Sequence, residues 1–390
     1  MMNKRILVAA VLGSIGVAAH AQSSVTLYGL IDAGVSYVNH AGTNSKSLYK
    51  YDDGVAQGSR WGIKGSEDLG GGLKAIFTLE NGFNSGNGTL GQNSREFGRQ
   101  AFVGLTKDGM GSVTFGRQYS LSTDVLGNYT TGSNTVAGNY AYHINDIDQL
   151  TSSRIDNSVK FQSANFAGFT FGALYGFSNQ AGAFAGAPGT GSGATAVAGS
   201  ARTYSFGLNY AAGPIGVGAA YTDIRFPSQQ AGVPTTISNQ SPIGANNIKE
   251  LRTFGLGARY LMGPAAFWAS WTNTRLVQLP GTGPSNLVFD AYEAGGKYSF
   301  TPALTAGLGY TYMHLSDAAS GHFNQVDLSL DYALSKRTDV YVLGVYQNAS
   351  GTNGTTPLQA QIGDSTSYFG PSGNNSQSQV AARVGIRHKF

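Results

Sequence analysis

The sequence predicts an all-β fold: a sixteen-stranded antiparallel transmembrane β-barrel, with lipid outside and water within. Three observations predict it. The last segment alternates to the final residue, with Val380, Ala382, Val384, Ile386, His388 and Phe390 on one face and Ala381, Arg383, Gly385, Arg387 and Lys389 on the other. Successive strand side chains point to opposite faces, so this pattern suits a wall between lipid and a wet lumen. Charged residues make up only 12% of the chain, against about 25% in an average soluble domain. Finally, such alternating segments recur along the whole chain, separated in turn by short and long connections.

The N-terminus sets the compartment. Lys4 and Arg5 precede an apolar run over residues 6–19, and Ala19-His20-Ala21 matches a small-x-small cleavage site. Residues 1–21 therefore read as a secretory signal peptide, and residues 22–390 as a single barrel domain. Losing Lys4 and Arg5 lowers the formal charge from +4 to +2. The remaining basic residues are scattered, with no run to track a phosphate backbone, so nucleic acid is not an expected partner. Downstream, no stretch approaches the 18 or more apolar residues of a membrane helix. The absence of cysteine excludes disulfides and thiolate metal sites.

The strands follow in order. Val25, Leu27, Ile31, Val35 and Tyr37 oppose Thr26, Asp32 and Ser36. Trp61 and Ile63 oppose Arg60, Gly62 and Lys64; Leu73, Ala75, Phe77 and Leu79 oppose Lys74, Thr78 and Glu80. Phe169, Phe171, Ala173, Tyr175 and Phe177 oppose Thr170 and Gly172. Tyr204, Phe206, Leu208 and Tyr210 oppose Ser205 and Asn209, and Phe254, Leu256, Ala258 and Tyr260 oppose Gly255, Gly257 and Arg259. Leu304, Ala306, Leu308, Tyr310 and Tyr312 oppose Thr305, Gly307 and Thr311. Val326, Leu328, Leu330 and Tyr332 oppose Gln325, Asp327, Ser329 and Asp331. The apolar rows often end in aromatic rings, which favour the membrane–water boundary.

Seven short turns are expected at residues 66–72, 107–111, 164–168, 212–214, 262–264, 300–302 and 334–337, rich in Gly, Pro and Asp. Eight longer polar connections cover residues 40–57, 84–96, 119–153, 179–201, 227–248, 277–287, 317–321 and 348–378. Together they delimit sixteen strands with both termini on the short-turn side. Lipid cannot satisfy a free strand edge, so such a sheet must close, and sixteen strands enclose an aqueous channel.

These segments resemble a known family. The start from Ser23 to Gly34 is similar to that of Gram-negative general porins, especially the β-proteobacterial kind. Residues 59–75, Arg99 to Leu105, Phe115-Gly116-Arg117-Gln118, Asn157 to Phe161 and Leu334 to Thr338 continue the likeness in order, and Val384 to Phe390 resembles the family's terminal signature. The resemblance implies a homotrimer in outer-membrane lipid, each barrel with its own pore narrowed by an inward-folded third loop. It implies passive diffusion of ions and small hydrophilic solutes, without cofactor. It also implies that Phe390 is the tag read by the outer-membrane assembly machinery.

By alternation the lumen-facing cations are Arg60, Lys64, Lys74, Lys160, Arg259, Arg383 and Arg387, and the lumen-facing acids are Asp32, Glu80, Asp327 and Asp331. The third long connection carries Asp124, Asp146 and Asp148, with Arg154 at its exit, and would oppose the basic wall across a gap. Arg99 and Arg117 have outward parity, so bulges must turn them inward or they lie at a rim or a subunit contact. Asp146-x-Asp148 beside His143 lacks the spacing of a calcium loop, so no metal is expected.

The pattern predicts a mild anion bias from wall cations, opposed by the loop acids. A substrate-specific channel is the alternative; it would want an aromatic slide, and only Tyr28 and Trp268 point inward. A barrel enzyme would want clustered His, Ser and acidic groups, whereas the histidines here are dispersed, so no enzyme is expected.

Overall fold

Alternation in the sequence becomes a closed antiparallel barrel in the computed structural model, which describes residues 23–151, 153–179, 202–225, 248–278, 286–354, 356–363 and 369–390. The proposed signal peptide, at residues 1–21, and most of the loops expected near 179–201, 227–248 and 277–287 lie outside the described residues.

The first wall strand, β1, is Ser24–Ala41. The second, β2, is broken into Lys46–Asp53 and Arg60–Gly70, which pair with the upper and lower parts of β1 respectively. The others are β3 (Leu73–Gly82), β4 (Gln100–Lys107), β5 (Gly111–Tyr119), β6 (Arg154–Ser163), β7 (Phe169–Gly176) and β8 (Arg202–Ala212). Next come β9 (Ile215–Arg225), β10 (Ile248–Met262), β11 (Ala265–Gln278) and β12 (Leu287–Ser299). The wall ends with β13 (Leu304–Asp317), β14 (Ser320–Ala333), β15 (Thr338–Thr352) and β16 (Ser378–Lys389). Consecutive strands pair antiparallel throughout, and β16 closes on β1 from Leu30↔Lys389 to Val38↔Ala381.

The expected outward rows do face outward: Val25 is 68% exposed and Val384 is 63% exposed. In water such a surface would be a liability; lipid satisfies it.

Three connections differ from expectation. Residues 46–53, expected in a loop, belong to the wall, and only the turn at 42–45 and the segment 54–59 leave the sheet. The turn expected from residue 66 is tighter, because β2 runs on to Gly70, and Gly70, Gly71 and Gly72 take the positive φ the reversal needs. The connection expected at 317–321 leaves only 318–319 outside the strands, because Asp317 still pairs with Leu287 and Ser320 with Thr352, while the two strands part from each other after Leu315↔Gly321. None of these changes the strand count.

The apolar core does not lie between sheets. It lies between the inner wall and the third loop, residues 120–153, which folds into the lumen. Leu121, Leu126, Ile144, Ile147 and Leu150 of the loop pack with Ile224, Leu251, Leu276, Phe289, Met313 and Phe323 of the wall. A second cluster gathers Val136 and Tyr140 of the loop with Val38, Val55, Leu343 and Val345.

Candidate functional site

The third loop is seated on glycines. Its first helix, Leu121–Val125, starts at Ser120, whose Oγ accepts the Thr123 backbone N–H at 3.3 Å. This helix and the 3-10 turn Leu126–Tyr129 lie over the inward face of β7 to β11. A Cβ on Gly207 would come within 3.0 Å of Val125 and Leu121, and one on Gly218 or Gly257 would strike the Tyr129 ring at 2.6 or 2.5 Å. Farther along, Gly307 and Gly309 make room for Thr135 and Thr131. Side chains are omitted from the wall where the loop supplies them.

Polar contacts then fix the loop's course. Trp268 Nε1 donates to Thr131 Oγ1 at 3.0 Å, and Lys297 Nζ donates to the Asn134 carbonyl at 2.8 Å. At the tip, the Asn139 backbone N–H donates to the Val55 carbonyl at 2.7 Å, in the segment that interrupts β2. Tyr140 donates to Ser36 Oγ at 2.7 Å and also bonds Asp52. Burial and the Asp52 carboxylate push the Tyr140 hydroxyl far above the usual tyrosine range, so it stays a donor.

A cavity of about 1210 Å³ remains between the loop's free edge and the wall of β2 to β6. Arg60, Arg95, Arg99, Arg117 and Arg154 line it on the wall side. Lys297, Arg387 and Lys389 add charge from the far side, and the lining acids are Asp53, Asp124 and Asp331. Eight cations thus face three acids among the described lining residues.

Each arginine is held in place. Arg99 Nε donates to Glu80 Oε1 at 2.7 Å and its other arm to Tyr119 Oη at 2.8 Å, while Tyr28 bonds the second Glu80 oxygen at 3.0 Å. Arg95 reaches Asp156 Oδ2 at 2.9 Å, and Arg117 bonds the same carboxylate. Arg154 stacks over the Tyr119 ring at 4.9 Å. Arg60 Nε donates to the Gly58 carbonyl at 2.9 Å. Arg95, Arg99 and Arg117 share two carboxylates, Asp156 and Glu80, so this part of the array keeps positive charge.

The expected residues divide into those on this cavity and those elsewhere. Arg60, Arg387, Asp124, Arg99, Arg117 and Arg154 line it. Arg117 is turned inward by the register break between Gly116 and Gln118, where Gly116 has a φ of 136°. Arg387 is paired with Asp339 at 3.1 Å. Lys160 faces the lumen but tethers the loop, donating to the Tyr119 carbonyl at 3.0 Å and bonding Asp124. Lys64 lies 5.3 Å from the Tyr28 ring. Lys74 shares the inward parity of Glu80, and Arg259 that of Gly257, away from the cavity lining.

Three expected site residues, Arg383, Asp146 and Asp148, are corrected. Arg383 is not an open pore-lining charge: it is 2% exposed, and its guanidinium donates to Tyr341 Oη at 2.9 Å, Ser36 Oγ at 3.2 Å and Asp32 Oδ1 at 3.3 Å. The loop tip covers this cluster through Tyr140. Asp146 and Asp148 do not face the passage either, because the limb at 143–150 packs against the wall. Asp146 accepts the Thr151 backbone N–H at 3.0 Å, and Asp148 accepts from Thr272 Oγ1 at 2.7 Å. Trp268 does point inward, as its parity requires, and the loop covers it. Phe390 exchanges two 3.0 Å backbone bonds with Gly29 and lays its ring where a Gly29 Cβ would be.

Sequence reasoning missed Arg95 and Lys297. Arg95 sits in an aperiodic loop with no signal to find it. Lys297 follows the inward parity of Glu293 and Gly295 and could have been found.

Comparison with known proteins places this geometry. A family described as Gram-negative porin matches residues 8–352. An outer membrane porin protein of Bordetella pertussis is 32% identical over the whole length of both chains. Major outer membrane protein P.IB of Neisseria meningitidis serogroup B is 32% identical, covering 99% of this chain and 100% of its own. Among solved structures, the anion-selective porin from Comamonas acidovorans has a TM-score of 0.75 at 24% identity, covering 95% of this chain and 100% of that one. That likeness speaks for the fold.

Proposed function

The chain belongs to the Gram-negative porin family, and on that premise we propose that its channel favours anions. It is a passive diffusion channel of the outer membrane, in which the barrel replaces lipid by a column of water and the third loop narrows that column. The family and its channel relatives point to a non-enzymatic pore.

One observation carries the anion reading: five arginines stand along one side of the passage, on β2 to β6 and their connections, and face Asp124 on the loop edge. Fixed guanidinium groups beside a narrow aqueous path raise the local concentration of anions and repel cations. Arg60, Arg99, Arg117 and Arg154 form this filter together with Arg95, and Arg387 extends it along the passage. Lys160 and Asp124 serve the loop's position and cancel one another. Small hydrophilic solutes pass without a dedicated binding site.

The assembly reading is that of the family resemblance: a homotrimer of barrels in outer-membrane lipid, exported by the cleaved segment 1–21, with Phe390 as the insertion tag. The reversal potential of single channels in a KCl gradient tests the selectivity. Anion preference is expected, weakened by Arg60→Ala; cation preference of the wild-type channel refutes the proposal.

A further inference from the structure

Beside the apolar packing and the Thr272–Asp148 bond, an imidazole ties the returning limb of the third loop to the wall. His143 is 3% exposed. Its Nδ1 lies 2.5 Å from Asp148 Oδ2, on the same limb, and its Nε2 lies 2.9 Å from Glu293 Oε2, on β12. An ionised carboxylate only accepts, so a ring that meets one at each nitrogen must carry a proton on both. Both carboxylates are fixed by other donors: Thr272 Oγ1 to Asp148 at 2.7 Å, and the Thr131 backbone N–H to Glu293. A third acid, Asp327 of β14, is 1% exposed and interacts with both His143 and Glu293. The titratable groups around the ring are therefore Asp148 from the loop and Glu293 from β12, both in contact with it, and Asp327 from β14 nearby.

We propose that His143, as an imidazolium, is the positioning residue of the constriction loop, and that loss of its proton releases the returning limb from β12. Without the proton, one ring nitrogen turns a lone pair towards a carboxylate, and Asp148 and Glu293 then share a buried site without a cation between them. Repulsion falls on the contact between limb and wall. The limb also carries Leu150 and Thr151, which line the passage, so its release changes the channel's width.

The direction with pH follows. Burial opposes charge on the ring, but Asp148 and Glu293 outweigh it and hold His143 well above its ordinary value of 6.5. A group raised on folding stabilises fully below its unfolded value and loses that contribution as pH rises through its folded one. The clamp is therefore closed at neutral pH and opens in alkali.

Single-channel recordings of the full channel in planar bilayers, from about pH 6 to about pH 11, test this. The wild-type channel is expected to be quiet at neutral pH, with current noise and substates appearing in alkali. His143→Gln should be noisy with a flat pH profile. Glu293→Gln keeps the shape and removes one stabilising charge, so it should move the onset down by about one pH unit or more. A histidine that merely fills space would not transmit that shift. A wild-type profile flat to the alkaline limit, or an onset unmoved in Glu293→Gln, overturns the proposal. If His143→Gln does not assemble, the Glu293→Gln profile decides alone.

Discussion

Gly257→Ala tests whether the third loop is seated by the absence of wall side chains. A Cβ at this position would lie 2.5 Å from Tyr129 Cδ2 and 2.6 Å from its Cβ and Cγ. Ordinary carbon contacts are about 3.5–4.0 Å, so the ring must retreat by about 1 Å. It cannot tilt alone. Its hydroxyl bonds Asn209 Oδ1 at 2.5 Å, and Gly218 lies beneath its other edge. The turn Leu126–Tyr129 must therefore move away from the wall, towards the passage lined by Gly127 and Asn128. Overpacking of this kind costs about 1–3 kcal/mol. The expected result is lower single-channel conductance, more current noise and a lower thermal unfolding temperature. Gly344→Ala is the control: its nearest atom is a carbonyl oxygen at 4.0 Å, on the outer face. A Gly257→Ala channel that matches both the control and the wild type would refute the seating argument.

Two further outcomes bear on the seam where β1 meets β16. Arg383→Met leaves Asp32 buried beside no cation and should cost about 3–5 kcal/mol, read as a lower unfolding temperature of the detergent-folded barrel; an unchanged temperature would show that the cluster does not hold the seam. Deleting Phe390 removes its two backbone bonds to Gly29 and the ring above that glycine. Insertion into the outer membrane should fall while the conductance of those channels that do assemble stays the same, and normal insertion would remove the tag role.

The wall was legible in the sequence because two solvents write on it. Lipid and water demand opposite side chains at alternate positions, so Val25, Leu27 and Arg60 could be placed without coordinates. The third loop obeys no such period. Its acids Asp146 and Asp148 look alike in sequence to Asp124, yet only Asp124 meets the passage, because tertiary packing alone decides which limb lies against the wall. Arg117 shows a subtler failure: parity points it outward, and the register break after Gly116 reverses it. Arg383 has the right parity and the wrong surroundings, since inward means towards the loop as well as towards water.

The inward glycines were visible too, but their meaning was not. Gly172, Gly207, Gly218, Gly255, Gly257, Gly307 and Gly309 all sit on β7 to β13, and the loop covers them. Five of the passage's arginines sit on β2 to β6 and the connections between them, and Arg387 stands on β16. The two sets divide the inner wall into a bare half that receives the loop and a charged half that faces what the loop leaves open. Filling one half necessarily displaces the water column onto the other. Charge selectivity therefore need not be built around the whole circumference; it can be set by a few arginines on the strands that the loop does not cover.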